Sequence, residues 1–317
     1  MKNKRIIVTG GCGFIGSHIV ERFYNDNEII VIDNLSSGKQ SNLPRSFPLG
    51  NLIIGDISQK LHWSIFNKYF KDIDYVFHCA ANVLIDESLL DPEHDAMVNV
   101  IGLVNVLEAC RHNNIKRLVW CSSSAIYGEP DFVPIKESHE LKPDSPYAVS
   151  KTCGEYYCDL YTSLWGLEIV KLRYFNAYGP RQDVTNPYSG VMALFIDQCM
   201  NGKPLTIHGT GQQTRDFVYV KDIARANELA ITSPCGAYNV GTGVETSIVD
   251  LAHWIRDEVN EVKHICSDIT YSEGRLADIM RDHADTSLAE STLKFKAEYS
   301  LRKGLIEYLT WRETHEE

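Results

Sequence analysis

The sequence predicts an α/β fold: a doubly wound parallel sheet followed by a smaller mixed α/β region. Three observations carry this expectation. Arg5 to His18 reads Arg-Ile-Ile-Val-Thr-Gly-Gly-Cys-Gly-Phe-Ile-Gly-Ser-His, in which β-forming residues run into four glycines and then into a helical pattern. A second strand pattern, Glu28 to Ile32, ends on Asp33, about twenty residues past the glycine turn. Up to about residue 175, strand-like and helix-like segments alternate with short connections, the pattern of a parallel sheet covered on both faces.

The glycines fit two spacings. Gly11-Cys12-Gly13-Phe14-Ile15-Gly16 satisfies G-x-G-x-x-G, and Thr9-Gly10 with Gly13 and Gly16 gives the wider T-G-x-x-G-x-x-G. Such glycines permit positive φ, close approach of backbone N–H groups to a pyrophosphate, and tight packing of helix on strand. Alone, the loop is equally an ordinary strand–helix connection. Asp33 adds the second signal, because a carboxylate there accepts both ribose hydroxyls of an adenosine and repels a 2′-phosphate, which points to NAD rather than NADP.

The remaining elements follow in order. A helix from Phe14 to Asn25 precedes the second strand, and a polar turn, Asn34-Leu35-Ser36-Ser37-Gly38, follows it. The third strand, Leu52 to Ile54, leads into Gly55-Asp56-Ile57, where Asp56 either reaches an adenine amino group or is an ordinary turn residue. The fourth, Tyr75 to His78, ends in Cys79-Ala80-Ala81, small side chains that let the backbone pass close to a cofactor. A long helix then carries Met97, Val100, Ile101, Val104, Leu107 and Cys110 at apolar helical spacing, with Asn99 on another face as either an exposed residue or a site residue. The fifth strand, Arg117 to Trp120, delivers Cys121-Ser122-Ser123-Ser124-Ala125-Ile126-Tyr127-Gly128. A proline-broken loop, Glu129 to Pro146, is long enough to be functional and feeds a helix from near Ser145 to about Trp165, followed by a sixth strand, Glu168 to Tyr174.

Beyond Asn176 the regularity fades. The expected organisation is a dinucleotide-binding unit over 1–175, with a return segment near 216–240, and a mainly substrate-binding unit over 176–317. The strand-like Asp216 to Val220 stretch is a candidate for returning to the first domain.

At 317 residues with a formal charge of −11, the chain lacks the basic face that a nucleic acid or an anionic membrane needs. Its longest apolar runs, such as Ile29 to Ile32, are strand-sized, and the N-terminus lacks a secretory pattern, so the expected location is the cytoplasm. Nine scattered cysteines without a C-x-x-C indicate neither a disulfide framework nor a zinc site, and Cys79, Cys110 and Cys121 read as small core residues. Eleven histidines include no H-E-x-x-H pair, so no metal is expected.

Tyr147 and Lys151 are four apart, one turn along one helix face. An ammonium beside a phenol, helped by an oxidised nicotinamide, stabilises the phenolate and draws its pKa toward neutrality, so that it can act as a base on a substrate hydroxyl. Tyr299 with Lys303 repeats the spacing, but only Tyr147 and Lys151 follow a strand that ends in hydroxyls, where parallel sheets place their ligands. Tyr299 is therefore assigned to structure.

Taken together, the Thr9–Gly16 loop, Asp33 within Asp33-Asn34-Leu35-Ser36-Ser37-Gly38, the Ser-Ser-Ser-Ala-Ile-Tyr-Gly run and Tyr147-Ala-Val-Ser-Lys151 resemble the extended short-chain dehydrogenase/reductases, specifically the NAD-dependent epimerase/dehydratase family with its Rossmann-like fold. The resemblance is strongest to the UDP-hexose 4-epimerases and spans nearly the whole chain. It implies catalytic roles for Ser123, Tyr147 and Lys151, with Ser124 as the alternative hydroxyl. It implies cofactor contacts from Gly10, Gly13, Phe14, Ile15 and Gly16, and from Asp33, Asn34, Ser36 and Gly38. Asp56, Ile57, Ala80, Ala81, Asn99, Tyr147, Lys151 and Tyr174 complete that set. It also implies a sugar-nucleotide site containing Ser123, Ser124, Tyr147 and Asn176, with Arg215 and Arg275 on the diphosphate and Asp278 nearby. Arg275-Leu276-Ala277-Asp278 departs from the family's Arg-Pro-Gly-Asp, which weakens the case for Arg275, and both arginines could be ordinary surface residues.

The residues after the catalytic hydroxyl separate the family's chemistries: dehydratases carry an acid pair there and uronate decarboxylases a glutamate. Ser124-Ala125 supplies neither, which leaves oxidation at C4 followed by re-reduction, an epimerisation of UDP-glucose or UDP-galactose with the N-acetyl forms as further candidates. The position that gates N-acetyl sugars aligns with Asp282. It leaves room for the acetamido group and disfavours uronic acids by charge if it faces the sugar, or it faces solvent. A dehydratase or reductase of the same family, or a non-catalytic NAD-sensing module, is the alternative function. The resemblance further implies a homodimer built from the helices containing Asn99 and Tyr147.

Overall fold

The computed structural model describes residues 1–59, 67–184, 190–274 and 279–315. The first half is built from β1 (Arg5–Thr9), α1 (Phe14–Tyr24), β2 (Glu28–Asp33), β3 (Leu52–Ile54), β4 (Tyr75–His78), α2 (Ile85–Leu90), α3 (Pro92–Ala96), α4 (Gly102–His112), β5 (Arg117–Ser123), α5 (Pro146–Trp165) and β6 (Glu168–Tyr174). The second half continues with β7 (Asn176–Tyr178), α6 (Val191–Met200), β8 (Leu205–His208), β9 (Thr214–Arg215), β10 (Phe217–Tyr219), α7 (Val220–Ala230), β11 (Gly236–Val240), β12 (Thr246–Ser247), α8 (Ile248–Lys263), β13 (Ile269–Ser272), β14 (Arg281–Asp282) and α9 (Leu301–Thr314).

Seven strands form one parallel sheet in the order β11-β6-β5-β4-β1-β2-β3. The order reverses at β1, whose Thr9 lies between Ile32 and His78. Strands covered on both faces must be apolar throughout, and β1 and β2 satisfy this with Ile6, Ile7, Val8, Ile29, Ile30, Val31 and Ile32 all buried. Ile6 and Val8 pack toward Ile19 and Phe23 of α1. Ile7 and Ile32 pack on the other face with Leu103, Leu107 and Trp120. A separate core of Tyr178, Phe195, Ile207, Tyr219, Leu251 and Tyr308 holds the second lobe together.

Phe217–Tyr219 pairs with β7 and not with the main sheet, while Val218 and the inner face of α7 share a core with Ile19 and Phe23 of α1; the segment that joins the large sheet is β11, against β6. The helix expected through Met97 to Cys110 forms, continuous from α3 through a π-helical turn at Met97–Ile101 into α4. The extra residue of a π turn shifts the helical register. Asn99 is thereby carried inward to 4 % exposure, while Met97 and Ile101 face outward.

The helix bearing Tyr147 and Lys151 is set by local rules. Ser145 caps it by accepting Ala148 N–H at 3.3 Å, Pro146 occupies the first turn, and Gly166 ends it in a left-handed conformation. Gly154 lets it lie close on β5, since a Cβ there would sit 2.5 Å from Trp120 Cη2 and 2.9 Å from Leu103 Cδ2. Gly154→Ala should therefore cost about 1–3 kcal/mol through overpacking, read as a lower denaturant midpoint; an unchanged midpoint would show that the contact is not tight.

Candidate active site

The site lies at the carboxyl ends of β1, β4, β5 and β6. Gly10 adopts φ +68° and donates its N–H to Ile32 O at 2.8 Å. A Cβ at Gly10 would come within 2.6 Å of Ala80 N, and one at Gly16 would overlap the Gly10 carbonyl oxygen. This region therefore has room for backbone and none for side chains. Gly13 precedes α1 with no side-chain cap, so the first N–H groups of the helix are free to meet an anion. Phe14 and Ile15 are half-buried beside it.

Asp33 is buried at 6 % exposure, yet neither oxygen is idle: Oδ2 accepts Cys12 N–H at 2.9 Å and Oδ1 accepts Leu35 N–H at 2.8 Å. Burial pushes its carboxyl upward and those two N–H groups oppose the shift. Each oxygen retains a second lone pair, so the carboxylate fits the hydroxyls of an adenine ribose while tying the glycine loop to the next turn. Asn34 Oδ1 accepts from Ser36 N and Oγ, and the Gly38 backbone passes close to Cys12. Asp56 Oδ1 accepts from Ser58 N and Oγ, next to buried Ile57. Ala80 and Ala81 follow β4 as half-buried residues. This set fits a dinucleotide along the edge of the sheet.

Asn99 makes its hydrogen bonds to protein groups. Its Oδ1 accepts Asn82 N–H at 2.9 Å, and its Nδ2 lies 2.9 Å from Asn82 O, 2.9 Å from Asp95 Oδ1 and 3.2 Å from Ser150 Oγ. In this geometry it braces the loop after Ala81. The Tyr174 hydroxyl likewise meets Cys121 Sγ at 3.3 Å and accepts from Asn227 Nδ2 at 2.7 Å.

Tyr147 and Lys151 are both buried, at 8 % and 3 % exposure. Lys151 Nζ donates to Cys121 O at 2.8 Å and lies 5.8 Å from the Tyr147 ring centroid and 5.2 Å from the Trp120 ring. Burial pushes the Tyr147 phenol up to about 12; its hydrogen bond with Ser123 works against this and the Asp95 carboxylate adds to it. Within the chain alone, desolvation thus outweighs the expected pull toward neutrality. Ser123 caps the turn after β5 by accepting Ala125 N–H at 3.2 Å, and Ser124 sits half-buried in that turn.

A buried polar brace holds these strands and α5 in register. Arg173 makes a two-pronged bond to Glu155 at 2.8 and 2.6 Å, Ser122 Oγ donates to Glu155 at 2.7 Å, and Arg173 also reaches Tyr127 OH at 2.7 Å. Burial raises the Glu155 carboxyl, but Arg173 prevails and holds it below its ordinary range. The role of Glu155 was missed in the sequence, although its spacing from Lys151 places it on the same helix face.

In the second lobe, Asn176, Arg215 and Asp282 are brought together. Asn176 Nδ2 donates to Asp282 Oδ2 at 3.0 Å, and Arg215 pairs in register with Asp282 across β9 and β14. Arg215 donates to Thr214 O and Ile279 O at 2.8 and 2.6 Å. Asp282 is buried rather than solvent-facing, and burial lifts its carboxyl to about 6 against the opposing effects of Arg215 and Asn176. Arg275 and Asp278 lie outside the described residues. Tyr299 serves packing, with Lys303 Nζ 4.0 Å above its ring and Tyr219 beside it.

Residues 6–241 match the model of the NAD dependent epimerase/dehydratase family. A UDP-N-acetylglucosamine 4-epimerase from Methanobrevibacter ruminantium M1, solved with UDP-N-acetylmuramic acid, is 40 % identical with a TM-score of 0.91, over 99 % of both chains. A UDP-glucose 4-epimerase from Thermotoga maritima, solved with UDP-glucose, is 34 % identical with a TM-score of 0.92, over 99 % of this chain and 100 % of the other. The UDP-glucose 4-epimerase of Thermus thermophilus, solved with NAD, is 34 % identical with a TM-score of 0.88, over 98 % of this chain and 99 % of the other. With the family model matched over residues 6–241 and these proteins 34–40 % identical over nearly the whole chain, the chain belongs to the NAD dependent epimerase/dehydratase family.

Proposed function

We propose that the chain inverts C4 of a UDP-hexose, UDP-glucose or UDP-galactose and the N-acetyl forms, through a transient 4-keto sugar with NAD as cofactor. The observation that supports this reading is the buried pair of Tyr147 and Lys151, with Lys151 donating to Cys121 O two residues before Ser123 at the end of β5, and with Ser124-Ala125 following where an elimination or decarboxylation would require a carboxylate. The similarity to 4-epimerases along the full chain supports it.

Gly10, Gly13, Gly16 and Asp33 would hold the NAD, which when bound supplies the hydride acceptor and donor and a positive charge beside the phenol. Tyr147 takes the proton from O4 and later returns it. Ser123 hydrogen-bonds O4 and the phenol, which keeps the path of that proton short. Lys151, fixed by Cys121 O, supplies the positive field and a donor for the nicotinamide ribose. Asn176 and Arg215 hold the sugar nucleotide from the second lobe, Arg215 on the diphosphate, so that the keto sugar can present either face to the same residues.

The buried position of Asp282 beside Asn176 bears on the C2 substituent. A short side chain there leaves room for an acetamido group, and its charge disfavours uronic acids. We also read the chain as a cytoplasmic homodimer. All nine cysteines are unpaired, which suits a reducing compartment. On α5, Val149, Tyr156, Leu160 and Leu164 form an exposed apolar stripe of 44–65 % exposure, next to Met97 and Ile101. Among the described residues no helix is long and apolar enough to cross a membrane.

Three measurements test this reading. Tyr147→Phe should lower kcat by about 10²–10⁴-fold while NAD stays bound, and near-normal turnover would end the assignment. Asp282→Tyr should reduce kcat/KM for UDP-N-acetylgalactosamine about tenfold or more relative to UDP-galactose; an equal effect on both would remove Asp282 from the C2 pocket. Sedimentation equilibrium should give twice the chain mass, and a monomer would refute the dimer.

A further inference from the structure

We propose that Asp95 is a positioning residue for the reaction above: the buried counter-charge to Lys151, which braces the Tyr147–Lys151 turn through Asn99 and sets the field in which Tyr147 exchanges its proton. The inference rests on the roles assigned to Tyr147 and Lys151 under the proposed function.

Asp95 is 1 % exposed, at the end of α3 just before the π turn. Its Oδ1 accepts from Asn99 Nδ2 at 2.9 Å, and Asn99 Nδ2 reaches Ser150 Oγ at 3.2 Å, whose hydroxyl donates to Tyr147 O at 2.9 Å. A hydrogen-bonded chain therefore runs from the carboxylate to the turn that carries both Tyr147 and Lys151. Oδ2 is buried and has no hydrogen-bond partner among the described residues. A buried carboxylate costs several kcal/mol unless groups nearby compensate it; burial pushes the Asp95 carboxyl up, and the Ser150 hydroxyl, the Lys151 ammonium, His94 and Asn99 work against that shift, Lys151 lying one residue beyond Ser150 on α5. Lys151 in turn donates to the neutral carbonyl of Cys121 at 2.8 Å, which leaves its charge uncompensated by that bond. Each charge thus offsets part of the other's desolvation, and neither is satisfied by its hydrogen bonds alone.

The titratable groups around this pair come from every packed element. His94 lies on the helix of Asp95 itself, and α2 carries Asp86 and Glu87 in its first turn and offers Ser88 Oγ to Tyr147 N–H at 3.2 Å. Tyr147 and Lys151 face Asp95 from α5, where Cys158 also lies near Lys151. His78, Cys79 and Cys121 approach Lys151 from the ends of β4 and β5. Asp95 is the carboxylate whose field acts on both the phenol and the ammonium, favouring the protonated form of each.

Removal of that one negative charge makes both protons easier to lose. In the holoenzyme with UDP-galactose, Asp95→Asn should move both limbs of the kcat–pH profile to lower pH, by on the order of one unit. Asp95→Glu, which keeps the charge, should leave the limbs near their wild-type positions. If the Asn variant does not retain NAD or a folded circular-dichroism spectrum, Asp95→Ser carries the same expectation with a smaller side chain. Limbs that stay in place with only a lower plateau, or that move to higher pH, overturn the proposal. Tyr147→Phe run in parallel separates the two levels of failure. Lost turnover in that variant with unmoved limbs in Asp95→Asn rejects the counter-charge alone, whereas retained turnover rejects the active-site reading and this proposal with it.

Discussion

The close approach of backbone to backbone at Gly10 is the constraint on which the rest of the structure depends. Three chain segments meet there: the turn after β1, the first turn of α1 at Gly16, and the Ala80 backbone after β4, with no space for a Cβ at either glycine. Such a junction places free helix N–H groups at the point where the strand order reverses, and open parallel sheets bind their ligands there. Asp33 then locks the junction to β2 by accepting Cys12 N–H. The cofactor cradle is thus a consequence of backbone packing, and the side chains that do chemistry are arranged around it.

The chemical cluster is held by a different force. Tyr147, Lys151, Asp95, Glu155 and Arg173 are all nearly inaccessible, and charged groups survive in such a place only when they are paired and hydrogen-bonded. Arg173 and Glu155 satisfy one another almost completely, so they act as a rigid brace. Lys151 donates to the neutral carbonyl of Cys121, and Asp95 Oδ2 has no hydrogen-bond partner among the described residues. Burial is what raises the Tyr147 phenol when the chain is considered alone, and in the proposed reaction the positive charge that opposes this comes with the cofactor.

Much of the main sheet was legible because its strands are short apolar runs bounded by turn residues. Leu52–Ile54, Tyr75–His78 and Glu168–Tyr174 form as strands where the pattern places them. Ser145 and Gly166 mark the helix of Tyr147 and Lys151 just as capping rules require. The π turn at Met97–Ile101 was not legible, since an apolar spacing that suits an α-helix is silent about one inserted residue, and that residue decides that Asn99 points inward. The destination of Phe217–Tyr219 was equally hidden, because a three-residue strand has the same pattern whichever sheet it joins. In the candidate site, the glycine loop, Asp33, Ser123, Tyr147 and Lys151 could be read as local motifs. Asp95 and Glu155 could not, because their importance comes from partners brought together only by folding.

In the proposed reaction, oxidation and re-reduction at C4 occur within one turnover, on a cofactor the protein keeps. The most direct measurement is to incubate the purified protein with UDP-galactose bearing deuterium at C4, with no nicotinamide nucleotide added, and to analyse the product. The expected product is UDP-glucose with the deuterium retained at C4, with no net change in absorbance at the reduced-nicotinamide band. Turnover that depends on added NAD and consumes it stoichiometrically, or deuterium lost to solvent, would contradict it.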